Sequence, residues 1–98
     1  MSKMCKEMVK LREWLDENDI KWRDDSWIHK DFYIHRTKFE VNGHDFSVIN
    51  GLGTYGGMVS IGCVNNGLLE LMLDGKEPIG CLSAIEVEGI VNECLHND

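Results

Sequence analysis

Proline is almost missing from this chain: Pro78 is the only one in 98 residues. No proline-rich linker divides it, and its length fits one domain over residues 1–98. Long apolar runs are also missing. None approaches the ~18 residues of a membrane span, so no membrane partner is expected. Basic residues are scarce, with ten Lys and Arg against seventeen Asp and Glu, a net charge of −7 with histidine neutral. Binding a nucleic-acid backbone needs a stripe of cations, so no direct nucleic-acid partner is expected. The four cysteines, Cys5, Cys63, Cys81 and Cys94, show no C-x-x-C spacing. That spacing carries most zinc and redox sites, so no metal and no cofactor are expected. Each cysteine stands beside apolar residues and reads as a small buried hydrophobe. The basic start Met1–Lys6 leads into helix-like sequence without an apolar core for a leader, which points to a cytoplasmic protein.

What is present is an ordinary hydrophobic content of 43% arranged with clear periodicities. Met4, Met8, Leu11 and Leu15 recur at helical spacing, widened by Cys5 and Trp14. They predict a helix over Lys3–Glu17 with Ser2 as its cap and Arg12 on an outer face. Asp16 and Glu17 fall at its end, where the macrodipole disfavours acids. Ile20–Arg23 predicts a short strand, Asp24-Asp25-Ser26 a turn, and Phe32–Val41 a long strand.

Asn42-Gly43 separates that strand from Asp45–Asn50. Asn-Gly supplies two positive-φ residues, which predicts a type I′ hairpin. Val41 then faces His44, Phe39 faces Phe46 and Thr37 faces Val48. The same register sets Glu40 against Asp45, an unfavourable pair unless Lys38 lies near. Phe32 and Ile34 have the wrong parity for the core face, so a bulge is expected near His35–Thr37. Met58–Val64 predicts a strand, Asn65-Asn66-Gly67 a turn, and Leu68–Leu73 a strand or one helical turn. Ile79–Leu82 predicts a short strand beginning at an edge, because Pro78 cannot donate to a ladder. Ser83 with Glu86 forms a capping box ahead of the stripe Val87, Ile90, Val91 and Cys94, and so predicts a closing helix. The fold class is α+β: an antiparallel sheet of about five strands with N- and C-terminal helices packed on it.

Four of the ten glycines fall in the run Gly51-Leu52-Gly53-Thr54-Tyr55-Gly56-Gly57. Glycine is costly to order, so such a run marks a sharp bend or a close backbone approach. It formally fits G-x-G-x-x-G, yet a strand-like segment follows where the dinucleotide fingerprint needs a helix. Bare N–H groups of such a turn form an anion nest, with Thr54 adding a hydroxyl and Tyr55 a stacking ring. A purely structural connection is the competing reading. The expected ligand-binding residues are Asn50, Gly51, Gly53, Thr54, Tyr55, Gly56 and Gly57, with Trp27 as a second stacking ring.

Asp24, Asp25, His29, Asp31 and His35 form a cluster with Trp22, Trp27 and Tyr33 interleaved. No spacing there singles out an acid–base pair, and no nucleophile motif occurs, so no catalytic residue is assigned. The rings either bind something or cap the core.

Four segments resemble a group of small uncharacterised proteins of Firmicutes and of their phages and prophages. They are Cys5-Lys6-Glu7-Met8, Leu11–Asp16, Ser47–Gly57 and Gly67–Met72. The resemblance implies a mobile-element setting and no activity. The glycine run and the stacking rings, placed in that setting, give the leading expectation of a non-enzymatic host-defence antagonist that sequesters a small anionic, nucleotide-like ligand, and the small size of the chain makes a homodimer a plausible form. The alternative is an acidic inhibitor that engages a host defence protein. The third reading is a small nucleotide hydrolase using His29, Asp31 or His35.

Overall fold

The computed structural model describes residues 4–29, 32–50 and 67–96. The glycine-rich run Gly51–Gly57, the expected strand Met58–Val64, Asn65, Asn66 and the helix start at Ser2 and Lys3 lie outside them. Helix α1 spans Lys6–Glu17 and buries Met8, Leu11 and Leu15 completely. It starts three residues later than its apolar stripe predicts. Cys5 occupies the N-cap in an extended conformation and makes no side-chain capping bond.

The strands are β1 (Trp22–Asp24), β2 (Trp27–His29), β3 (Phe32–Val41), β4 (His44–Asn50), β5 (Leu69–Leu73) and β6 (Ile79–Leu82), and helix α2 (Ala84–His96) follows. All pairings are antiparallel, in the order β1-β3-β4-β5-β6, with β2 also on β3. The fold is therefore α+β as expected, and residues 69–73 are strand.

The β3–β4 hairpin has the expected register, with Val41↔His44, Phe39↔Phe46 and Thr37↔Val48. Asn42 and Gly43 take φ of 49° and 83°, the left-handed pair that a type I′ turn demands. The Phe39 and Phe46 rings stack at 4.9 Å. Asn42 also donates from Nδ2 to the Cys94 and Leu95 carbonyls, so the turn caps the C-terminal end of α2.

No bulge interrupts β3 near His35–Thr37, because its pairing with β4 runs unbroken from His35 to Val41. The parity conflict is resolved by a sheet buried on both faces. Thr37, Phe39, Val41, Phe46, Val48, Leu69 and Leu71 face the helices, whose Met8, Leu11, Leu15, Val87 and Val91 complete the main core. Ile34 and Ile49 have the opposite parity, stand outside that core, and are nonetheless buried at 1% and 0% exposure.

The expected turn at Asp24–Ser26 is a short interruption in one edge strand. Trp22↔Phe39 and Trp27↔Ile34 keep a single register, five residues forward on one side and five back on the other. Across the gap the Arg36 N–H donates to the Ser26 hydroxyl, and the Asp25 N–H to the Arg36 carbonyl. Side-chain oxygen thus replaces one rung of the ladder.

The α2 capping box forms as expected: the Ser83 N–H donates to Glu86 and the Glu86 N–H to the Ser83 hydroxyl. The cysteines divide. Cys5 and Cys94 are half-buried against the core. Cys81 departs from the buried-hydrophobe expectation: it lies exposed on β6 and is disulfide-bonded.

Candidate functional site

Arg12 corrects the outer-face expectation. It lies within the arc of Met8, Leu11 and Leu15 and is 8% exposed. Its Nε donates to Thr37 Oγ1 at 2.7 Å, Nη1 to Asp24 Oδ2 at 3.4 Å and Nη2 to the Arg36 carbonyl at 3.3 Å. Its guanidinium also lies 4.6 Å over the Trp22 ring, whose Nε1 donates to Asp16 at 2.8 Å. Five donors in one rigid fork let a single buried cation join α1 to β1 and β3.

The acidic and aromatic cluster likewise resolves mainly into structural contacts. Asp24 accepts the Ser26 hydroxyl and N–H, and those bonds, with Arg12 behind them, hold its carboxyl below the ordinary aspartate value. Asp25 pairs with Arg36, which lies 4.5 Å over the Trp27 ring. Tyr33 lies against the buried His35 ring, tilted by 44° with the centroids 4.6 Å apart. Asp31 and the His29 side chain lie outside the described residues. Trp22 therefore packs on the core, and Trp27 carries Arg36 on one face of its ring.

Of the expected ligand-binding residues, Asn50 and Trp27 are described, and the sheet brings them to one end. Trp27 pairs with Ile34 and Asn50 with His35, so they flank consecutive residues of β3 from opposite sides. Two strand spacings, about 10 Å, separate their backbones. Asn50 Nδ2 donates to the Leu68 carbonyl at 2.9 Å, a bond that anchors the end of β4 to the chain entering β5. Gly51, Gly53, Thr54, Tyr55, Gly56 and Gly57 lie outside the described residues.

A second constellation escaped the sequence reading. At the other end of β3, about five residues or 17 Å from Ile34, a cavity of about 300 Å³ is lined by Lys21, Trp22, Arg23, Lys38, Phe39, Glu40 and Asp45. Arg23 and Lys38 oppose each other across β1 and β3, and Glu40 and Asp45 oppose each other one row further along β3 and β4. Both pairs have the parity opposite to Thr37 and Phe39, and so stand on the sheet face away from the helices. Like charges directly opposed across strands are destabilising. Among the described residues, no ion pair relieves Lys21, Arg23, Lys38, Glu40 or Asp45. The expected closeness of Lys38 to Asp45 is thus a shared cavity rather than a salt bridge.

Chemically the cavity offers a cationic row beside an anionic row, while Trp22 and Phe39, which also line it, turn their rings to the helix-side core. Cations there suit phosphate or carboxylate oxygens, and the carboxylates suit N–H donors. The signal was legible only after pairing: Asn42-Gly43 fixes Glu40 against Asp45, but nothing local sets Arg23 against Lys38.

Among the described residues no group of three or more His, Cys, Asp or Glu is placed to hold a metal ion, and no helix is long and apolar enough to cross a membrane. No family model, curated protein or solved structure matches the chain.

Proposed function

We propose that this chain is a non-enzymatic binding protein that sequesters a small anionic, nucleotide-like ligand over the Arg23–Lys38 row. One observation carries the reading: two cations stand directly opposed, without an ion-pair partner among the described residues, over a cavity at the small end of ligand-sized pockets. An anion bridging them turns a repulsive pair into two charge-assisted hydrogen bonds. Glu40 and Asp45 beside them favour a ligand that also carries N–H donors, as a nucleobase does. In a phage or prophage setting, removal of such a ligand would antagonise a host defence that signals through nucleotides. The glycine run Gly51–Gly57 stays a rival location for the same ligand.

Native mass spectrometry of the protein taken directly from cell extract, and again after denaturation and refolding, tests this reading. A mass excess that disappears on refolding, and that Arg23→Met and Lys38→Met both abolish, supports it. An excess that survives in those variants but is lost in Gly56→Val moves the site to the glycine run. A clean apo mass in extract opposes the reading.

A further inference from the structure

The helix layer carries a groove of about 550 Å³ lined by Lys10, Glu13, Trp14, Asp16 and Glu17 of α1 and by Glu88 of α2. Its electrostatics are one-sided. Lys10, its single cation, is engaged by Glu7 at 3.4 Å, whereas Glu13, Glu17 and Glu88 have no ion-pair partner among the described residues. The C-terminal end of α1 opens here with Asp16 and Glu17 and no basic residue in its last turn. A helix C-terminus already carries partial negative charge, so these acids work against the stability of their own helix. Burial, with repulsion from Glu17 and Glu7, raises the Glu88 carboxyl above its ordinary value, in keeping with a negative potential in this part of the molecule. Trp14 is half-buried against the core and borders the groove, an aromatic wall suited to a guanidinium or to a lysine stem.

We infer that this groove is a docking surface for a basic segment of a partner protein, rich in arginine or lysine. Charge complementarity selects the occupant. The same potential repels nucleic acid and anionic lipid, and the carboxylates are not grouped as a metal site among the described residues. The groove lies among the helices and the Arg23–Lys38 cavity on the opposite face of the sheet, so the inference is independent of the proposed ligand.

The test is fluorescence anisotropy of a short fluorescein-labelled arginine-rich peptide titrated with the full chain at low and high salt. The wild-type protein should bind at low salt and weaken steeply as the Debye length shortens. Glu88→Lys should weaken binding by about tenfold or more, and Trp14→Phe by less. Glu77→Lys makes the same change in net charge on the exposed β5–β6 turn, and should stay within about twofold of wild type. Equal weakening by Glu88→Lys and Glu77→Lys would show diffuse attraction to an acidic protein and overturn the inference, as would absence of binding at low salt. Glu88→Gln, which removes charge without adding bulk, serves as the second variant and should weaken binding while its melting transition stays cooperative. Binding unchanged in Glu88→Gln and Glu88→Lys would likewise overturn it.

Discussion

Glu7 accepts the backbone N–H of Ala84 through Oε1 at 2.8 Å, and with that one bond α1 supplies a cap to the first turn of α2. The acceptor is charged, the donor stands at the positive end of a helix dipole, and the side chain is 21% exposed. Glu7→Ala should cost about 1.5 kcal/mol, as charged hydrogen bonds of this kind do. Urea unfolding at neutral pH should show a lower midpoint with an unchanged slope.

The same bond gives the stability a pH dependence of known sign. The Ala84 N–H, ahead of the Lys10 charge, holds the Glu7 carboxyl below its ordinary value in the fold. Its contribution is complete above the ordinary glutamate range and is lost as pH falls through the lowered value. Glu88 runs the other way. Its carboxyl is raised, first by burial and then by neighbouring acids, so its ionisation opposes the fold once pH exceeds the ordinary glutamate range. Glu88→Gln should therefore stabilise the protein at pH 7, with the gain vanishing in acid. Thermal melts of Glu7→Gln, Glu88→Gln and wild type between about pH 3 and 7 should diverge in opposite directions.

Arg12 predicts a larger loss. Its substitution by alanine removes bonds to buried Thr37, to Asp24 and to the Arg36 carbonyl, and empties the space over Trp22. The expected cost is about 3 kcal/mol. Arg12→Lys should recover less than half of it, because an ammonium cannot reproduce the planar fork. Chemical denaturation of both variants measures the difference.

Asn42 separates turn geometry from capping. Asn42→Gly keeps the positive φ and deletes the bonds to the Cys94 and Leu95 carbonyls. Hydrogen exchange should speed up in the last turn of α2 and remain slow in β3 and β4. Exchange that rises equally throughout would contradict a local cap.

The hairpin register was readable from Asn42-Gly43, because that turn's backbone conformation is decided by two adjacent residues. The α2 start was readable from Ser83 and Glu86 for the same reason. Long-range placement was not readable. The parity of Ile34 looked like an error to be absorbed by a bulge, but the sheet buries Ile34 and Ile49 on its second face. Arg12 carries the charge of a surface residue, yet it stands four residues after Met8 and three before Leu15, inside the buried arc. That spacing was the available signal. For the candidate site, Trp27 and Asn50 stand at one end of the sheet on opposite sides of β3, while Arg23 and Lys38 come together through a pairing that no local motif encodes. The exposed, disulfide-bonded Cys81 was hidden behind its apolar neighbours in sequence.

The central claim is that an anion bridges Arg23 and Lys38, and the most direct test follows the backbone amide resonances of the protein during titration with a nucleoside triphosphate. The account predicts shifts concentrated at Lys21–Arg23, Lys38–Glu40 and Asp45, saturating with ligand and absent in the Arg23→Met, Lys38→Met double variant. Shifts that leave these residues still, or that persist in the double variant, would contradict it.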